Sequence, residues 1–259
     1  MAETTDLHAT ARLALACLDL TSLNDTDTEA DVATLCERAQ GRHGPVAAVC
    51  VWPRFAAFAR KQLPANIGVA AVANFPDGSA DIERAVRDTG QIVQSGAQDV
   101  DVVLPYVLLK QGDEHAVSLL LSAVRKACPD LTLKVILETG VLADDALVVR
   151  ASQLSLAAGA DFLKTSTGKT PVSATLQAAK QMLRCIASDA QAAGRVGFKP
   201  SGGIRTVADA ATSLALVTEM LGPQALQPRR FRIGASGLLN NIEALLSGQA
   251  SGRPAAGGY

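Results

Sequence analysis

Short apolar segments rich in β-branched residues recur along the chain, and stretches with helical periodicity separate them. The stretch 82–93 is typical, because its apolar residues lie at positions 82, 85, 86, 92 and 93 and Gly96 follows as a stop signal. The first apolar segment is ambiguous, since the run ARLALACLDL is also compatible with a helix. The apolar segments predict eight strands, at residues 15–20, 46–52, 67–74, 99–106, 131–139, 161–167, 195–203 and 230–236.

Eight strands that alternate with helices in 259 residues favour a single-domain α/β protein, a (β/α)8 TIM barrel. An open doubly wound sheet is the alternative, but it usually has fewer parallel strands, and no GxGxxG follows the first strand here. We place the barrel at residues 1–245. The remainder, 246–259, is rich in Gly, Ala, Ser and Pro and is predicted to be a flexible tail that ends in Tyr259.

The composition and net charge of the chain disfavour nucleic acids and membranes as binding partners. Hydrophobic residues make up 48 % of the chain and the net charge is −1, which argues against broad binding of nucleic acids or anionic membranes. No window holds the roughly 20 apolar residues of a membrane helix, and no basic leader precedes the first apolar run. The five cysteines are scattered and form no CxxC pair, so we expect a cytoplasmic protein with reduced thiols.

Four charged residues interrupt consecutive apolar strands, and these are the first candidates for chemistry. Asp101, Lys134, Lys164 and Lys199 lie in the predicted strands four to seven, and Asp19 ends the first strand. Active sites of TIM barrels form at the carboxyl ends of the strands, where these side chains can converge. For each residue a structural ion pair is the alternative, and for Lys134 the two interpretations are evenly balanced.

Three lysines beside one aspartate would leave two positive charges in excess, and such an excess has a chemical use. A lysine attacks a carbonyl only as the neutral amine, and burial and neighbouring positive charge both disfavour the ammonium form. An adjacent aspartate can transfer protons while an imine forms. The sequence therefore contains the groups that Schiff-base chemistry requires.

Glycine-rich loops after the last two strands predict a phosphate site. Gly202 and Gly203 follow the seventh strand, and Gly234, Ser236 and Gly237 follow the eighth. TIM barrels often bind phosphate through backbone N–H groups of these two loops. Arg205 and Lys169 could add positive charge, although an exposed Arg205 bonded to solvent is the alternative.

Two other kinds of site are disfavoured. The Gly-Lys-Thr at 168–170 is not a nucleotide-binding P-loop, because that motif requires glycine where this chain has Leu163. The histidines, His8, His43 and His115, do not lie at predicted strand ends, so we expect no catalytic metal.

Six segments resemble the deoxyribose-phosphate aldolase family in its longer form, in the same order along the chain. They are CLDLTSLND, DVDVVLPY, LKVILETG, GADFLKTSTGK, VGFKPSGGIRT and RIGASGLL, and the similarity runs from about residue 10 to 245. The resemblance implies a TIM-barrel class I aldolase that reversibly cleaves 2-deoxy-D-ribose 5-phosphate to D-glyceraldehyde 3-phosphate and acetaldehyde. It also implies that no cofactor is needed, and it suggests a homodimer.

The resemblance assigns a role to each catalytic candidate. Lys164 matches the residue that forms the Schiff base, and Lys199 matches the partner that favours the neutral form of its amine. Asp101 matches the acid/base residue, and Lys134 matches a lysine that assists without forming the imine. Tyr259 matches a terminal tyrosine that folds over the site and helps proton transfer at the methyl carbon of acetaldehyde.

The resemblance also implies a set of substrate contacts. Asp19 and Thr21 match positions that contact the sugar hydroxyls, and Cys50 matches a cysteine near the aldehyde pocket. The residues that match the phosphate loops are Gly168, Lys169, Gly202, Gly203, Ile204, Arg205, Gly234, Ser236 and Gly237. Gly237 departs from the pattern, since family members often have a second serine there, so we expect a weaker phosphate contact.

Two other functions remain open. A phosphosugar isomerase or epimerase would share the phosphate loops but would need a carboxylate or histidine base rather than a buried lysine pair. A non-catalytic phosphosugar sensor would share the loops and need no nucleophile. Formation of a trapped imine distinguishes an aldolase from both.

Overall fold

The structure, a computed structural model, describes residues 2–248 and the side chains from residue 7 onward. Within these residues, eight parallel strands alternate with helices along the chain, as the sequence predicts. The strands are β1 Leu18–Thr21, β2 Ala48–Val51, β3 Gly68–Ala73, β4 Asp99–Val103, β5 Thr132–Ile136, β6 Phe162–Lys164, β7 Gly197–Lys199 and β8 Ile233–Ala235.

The helices cover the outside of the strands. They are α1 Ala2–Ala16, α2 Glu29–Arg38, α3 Pro53–Gln62, α4 Ile82–Gln94, α5 Tyr106–Lys110, α6 Glu114–Ala127, α7 Thr139–Leu142, α8 Asp145–Ala157, α9 Leu176–Ser188, α10 Val207–Leu221 and α11 Leu238–Leu246. A 3-10 helix, Pro223–Ala225, precedes β8. None of the helices in the described part of the chain is long and apolar enough to cross a bilayer.

Local sequence explains where several helices begin. Thr28 and Asp31 form a capping box at the start of α2, and Thr206 and Asp209 form another at the start of α10. The ambiguous first segment contains both predicted elements, because α1 ends at Ala16 and β1 begins two residues later.

The strands form a closed barrel. Neighbouring strands pair in chain order from β1 to β7, and β8 pairs with β1. Bridges from Phe198 to Phe231 and from Ser201 to Gly234 join β7 to β8 and close the ring. The predicted (β/α)8 TIM barrel is therefore confirmed.

Side chains alternate along each strand between two environments. One set of strand residues packs with the helices in a large apolar core, which includes Val135, Leu163 and Phe198. The alternate residues point into the barrel, where a smaller apolar cluster contains Cys50, Val72 and Ile136. The charged residues of the strands share this interior face, because residues two apart in a strand point the same way.

The predicted tail, residues 246–259, stays a prediction, because the described residues include only its first three positions. Helix α11 continues to Leu246, and the described residues end at position 248. Tyr259 therefore lies outside the described residues, as does most of the predicted tail.

Candidate active site

The charged residues predicted from the strands converge inside the barrel. Lys164 Nζ lies 2.8 Å from Asp101 Oδ2, and Lys199 Nζ lies 2.7 Å from the same oxygen. The other oxygen of Asp101 accepts a hydrogen bond of 2.9 Å from Lys134. Asp101 therefore contacts the amines of three lysines, and all four side chains are buried.

Asp19 reaches the same group from the first strand. Lys199 Nζ lies 2.5 Å from Asp19 Oδ2, and Lys134 Nζ lies 3.8 Å from that oxygen. Strands β1 and β7 are neighbours of β8, so the closure of the barrel brings these residues together. Lys164 and Lys199 are partners in the register of β6 and β7, and both donate to the same oxygen of Asp101.

Two further members of the cluster were missed from the sequence. Asp99 Oδ2 accepts a hydrogen bond of 2.6 Å from Lys134, and Arg232 Nη1 lies 2.6 Å from Asp19 Oδ1 and 3.4 Å from Asp99 Oδ2. Asp99 lies two residues before Asp101 and Arg232 two before Gly234, so strand periodicity could have placed both inside the barrel.

Asp19 changes the expected charge of the site, whereas the charges of Asp99 and Arg232 are opposite and cancel. The sequence predicted two excess positive charges from three lysines and one aspartate. The structure contains three carboxylates, from Asp19, Asp99 and Asp101, which face Lys134, Lys164, Lys199 and Arg232. With all groups ionised the excess is therefore a single positive charge.

The electrostatics keep most of the cluster ionised. Burial opposes the negative charge of Asp101, but Lys134, Lys164 and Lys199 outweigh it and hold the pKa of this carboxyl well below its usual range. The same balance applies to Asp19: burial opposes its negative charge, but Lys199 and Arg232 lower the pKa of its carboxyl group. Burial likewise opposes the charge of Lys199, yet Asp101 and Asp19 raise its pKa, and carboxylates also raise the pKa of Lys134.

Thr21, a predicted contact for the sugar hydroxyls, and Cys50, predicted near the aldehyde pocket, lie on the strands next to this cluster. Thr21 is buried and its hydroxyl donates to the carbonyl oxygen of Asp19 at 2.9 Å. Cys50 pairs with Thr21 in the register of β1 and β2, and its side chain belongs to the apolar cluster inside the barrel. Burial, followed by the charge of Asp101, raises the pKa of the Cys50 thiol, so the thiol is neutral and weakly nucleophilic.

The loops after β6, β7 and β8 meet above the cluster. A Cβ placed on Gly202 would lie 3.4 Å from the Cα of Gly168, and the bridge from Ser201 to Gly234 joins the other two loops. Gly168, Gly202 and Gly203 have φ of 82°, 82° and 80°, a conformation that favours glycine. The predicted glycines are therefore close together.

The amino-terminal ends of α10 and α11, the helices that follow β7 and β8, differ. At α10 the backbone N–H groups of Arg205 and Thr206 donate to Asp209 at 3.0 and 2.9 Å, so the chain itself satisfies them. At α11 the cap residue, Gly237, provides no side-chain cap, and its neighbour Ser236 is half-buried. Among the other predicted contacts, Ile204 is buried, Lys169 is half-buried and Arg205 is exposed.

A buried glutamate supports the loop after β6 and was not predicted. Glu138 has a left-handed backbone, with φ of 53°, and its carboxyl group accepts hydrogen bonds from the backbone and hydroxyl of Thr167 and from the hydroxyl of Thr170. Burial raises the pKa of Glu138. These bonds hold the loop that carries Gly168 and Lys169.

Comparisons with known proteins agree with this geometry. Residues 13–254 match the DeoC/LacD family of aldolases. A crystal structure from Toxoplasma gondii ME49, provisionally assigned as a deoxyribose-phosphate aldolase, is 26% identical with a TM-score of 0.86, and the match covers 96% of this chain and 98% of that one. A similarly assigned protein from Coccidioides immitis is 29% identical with a TM-score of 0.77, covering 90% of this chain and 87% of the other.

A third structure is more distant in shape. The deoxyribose phosphate aldolase from Aeropyrum pernix, which is described as tetrameric, is 26% identical with a TM-score of 0.72, and the match covers 94% of this chain and 98% of that one. The family match spans nearly the whole barrel, and the resemblance inferred from the motifs is confirmed. The chain therefore belongs to the DeoC/LacD family of aldolases.

Proposed function

We propose that the protein is a class I aldolase that reversibly cleaves 2-deoxy-D-ribose 5-phosphate to D-glyceraldehyde 3-phosphate and acetaldehyde, with Lys164 as the Schiff-base residue. One observation carries the choice of lysine. Among the described residues, Lys164 pairs with Asp101 alone, whereas Lys199 and Lys134 each contact two or more carboxylates. Lys164 is therefore the lysine of the cluster with the fewest carboxylate partners, so its ammonium form receives the least ion-pair stabilisation.

The first half of the reaction forms the imine. Neutral Lys164 adds through Nζ to the aldehyde carbon of the substrate and gives a carbinolamine. Asp101, which contacts both Lys164 and Lys199, passes a proton to the departing hydroxyl, so that water leaves and a protonated imine remains. Lys199 is the proton reserve, because it touches the same carboxylate oxygen.

The second half breaks the carbon–carbon bond. The hydroxyl on C3 passes its proton to the ionised carboxylate of Asp101, the bond between C2 and C3 breaks, and the electron pair of that bond moves toward the protonated imine, which becomes an enamine. D-Glyceraldehyde 3-phosphate leaves at this stage. Protonation of the enamine carbon and hydrolysis of the imine then release acetaldehyde and return the amine of Lys164.

The remaining predicted contacts position the substrate. The loops that carry Gly202 and Gly203, together with the uncapped start of α11, suit a phosphate through backbone N–H groups, whereas the N–H of Gly234 donates to the carbonyl of Pro200 at 3.0 Å. Asp19 and Thr21 lie inside the barrel near Lys199 and suit the sugar hydroxyls. Cys50 suits the wall of the aldehyde pocket, and the role of Tyr259 stays a prediction.

We also propose a cytoplasmic location, which suits five cysteines without disulfides, and a homodimer. Both derive from the sequence and the family resemblance, and the second is measured directly by light scattering.

Trapping with borohydride tests the proposed function. Incubation with acetaldehyde and borohydride should leave a stable ethyl group on Lys164, which peptide mass mapping locates. Lys164→Met should lose the adduct and reduce cleavage by roughly 10⁴-fold or more, since it removes the group that forms the covalent intermediate. Lys169→Met, which alters a half-buried loop lysine, is the matched control and should retain the adduct. An adduct on another lysine, or none, would refute the assignment.

A further inference from the structure

Six charged side chains form a closed ring beneath Lys164. Arg232 contacts Asp19, Asp19 contacts Lys199, and Lys199 contacts Asp101. Asp101 in turn contacts Lys134, Lys134 contacts Asp99, and Asp99 returns to Arg232 at 3.4 Å. We call these six residues the charge ring. Cations and carboxylates alternate around it.

The charge ring is electrically neutral by itself. It contains three cations and three carboxylates, and each carboxylate lies between two cations. Lys164 is not a member, because its amine attaches to the ring through Asp101. A proton on Lys164 is therefore the one charge that the ring does not balance, in a place where burial makes an unbalanced charge costly.

Asp99 and Arg232 occupy the end of the ring that faces away from the glycine loops. Both line a cavity of about 950 Å³ that opens between the amino ends of the strands. Arg232 is held there by further contacts, since its Nε donates to the carbonyl of Pro228 at 2.5 Å and its guanidinium lies 5.9 Å from the centre of the Phe162 ring. A substrate at the carboxyl ends of the strands would not touch either residue.

We propose that Asp99 and Arg232 are positioning residues, which close the charge ring from below and so allow Lys164 to lose its proton. The proposal rests on the proposed function, in which Lys164 attacks as the neutral amine. Removal of Arg232 should leave a net negative charge beneath Lys164, and removal of Asp99 should leave a net positive charge there. A residue that only held the fold would not produce this sign reversal.

The expected directions follow from counting charges. Arg232→Met leaves the ring with one excess negative charge, so Lys164 retains its proton to higher pH and the acidic limb of the pH–activity profile moves up by about one unit. Asp99→Asn leaves one excess positive charge, so the acidic limb moves down. The double variant is neutral again and should return close to the unaltered enzyme.

Other titratable groups near Lys164 are the same in every variant. In the described part of the chain they are Asp19 on β1, Cys50 on β2, Asp101 on β4, Lys134 on β5, Glu138 after β5 and Lys199 on β7. Glu138 lies outside the ring and accepts hydrogen bonds from threonines. Shifts of opposite sign therefore report on Asp99 and Arg232.

The experiment measures kcat/KM for cleavage as a function of pH, together with the pH dependence of borohydride trapping on Lys164. Arg232→Lys keeps the positive charge and should restore the profile. Arg229→Met removes an exposed arginine of the same cavity and should leave the profile unchanged. Thermal unfolding of each variant identifies those that fail to fold. If a single variant does not fold, the double variant and Arg232→Lys provide the test instead.

Each outcome decides the matter. Opposite shifts that cancel in the double variant support the charge ring. Shifts of the same sign, or lost activity with an unmoved profile in folded variants, overturn it while the proposed function stands, provided that the unaltered enzyme gives the Lys164 adduct. If the unaltered enzyme gives no adduct on Lys164, both proposals fall.

Discussion

The two faces of β7 present opposite chemistry within one residue of each other. Phe198 points outward into the apolar core between barrel and helices, and Lys199 points inward to Asp19 and Asp101. Both side chains have no exposed surface. The extent of burial therefore does not reveal how a residue contributes to stability. A buried apolar side chain stabilises the fold without specific partners, whereas a buried charge is stabilised only when it is paired.

The same contrast holds on β6, where Leu163 points outward and Lys164 inward. The outer face tolerates any well-packed apolar neighbour, which makes it the source of stability. The inner face needs specified partners at specified distances, and the proposed chemistry depends on them. A test of this division should change one face at a time and measure stability and activity separately.

The largest effects are expected from Phe198→Ala and Lys199→Met, which alter adjacent residues of β7. Phe198→Ala should lower the free energy of unfolding by about 3 to 5 kcal/mol by leaving a cavity, with kcat of the folded enzyme nearly unchanged. Lys199→Met should also lower the free energy of unfolding by about 3 to 5 kcal/mol, because Asp19 and Asp101 lose a cation that both contact. It should also lower kcat by roughly 100-fold or more, as proton transfer fails.

The loss of stability in the two β7 variants should depend differently on pH. The lowered pKa values of Asp19 and Asp101 mean that stability from their ionised forms is present above about pH 4 and is lost as the pH falls through the folded-state values. The raised pKa of Lys199 means that its contribution is present below about pH 10 and is lost as the pH rises through the folded-state value.

The penalty of Lys199→Met should therefore be largest between about pH 4 and 10 and shrink on either side. The penalty of Phe198→Ala should stay constant across the same range. Urea unfolding at several pH values, with kinetics at neutral pH, measures both. A pH-independent penalty for Lys199→Met would contradict the electrostatic account of the inner face.

A smaller contrast is expected on β8, between Gly234 and Ala235. A Cβ on Gly234 would lie 2.5 Å from Ser201 Oγ and 3.2 Å from Lys199 Cε, so Gly234→Ala should displace the lysine and lower kcat by roughly 10- to 100-fold. Ala235→Gly removes an outward methyl group and should cost about 1 to 2 kcal/mol with kcat unchanged. Equal effects of both changes on kcat would show that the faces are not independent on this strand.

The smallest effect is expected just beyond the strand, from Gly237→Ser. Gly237 has φ of −86° and open space around its missing Cβ, so a serine should fit and change stability by no more than about 0.5 kcal/mol. Its hydroxyl should add a phosphate contact and lower KM several-fold for the phosphorylated substrate, with no change for unphosphorylated 2-deoxyribose. A change of KM for both substrates would indicate a rearranged loop rather than a new phosphate contact.

Much of the fold and part of the site could be predicted from local patterns. Apolar segments and their spacing predicted all eight strands, because buried strands of a parallel barrel are continuous apolar runs. Charged residues within those runs identified Asp101, Lys134, Lys164 and Lys199 as members of one cluster. Asp99 and Arg232 were missed because both lie near strand ends, where a charged residue is normally solvated.

The sequence by itself determined where the strands form and which of their residues carry charge into the barrel. These properties depend on residues one to four positions apart, so they can be derived from the order of amino acids. The tertiary structure alone decided how the charges pair. Asp19 and Lys199 are separated by 180 positions and Arg232 and Asp99 by 133, and barrel closure brings each pair into contact. Neutrality of the charge ring is consequently a property of strand register and closure, which long-range packing sets.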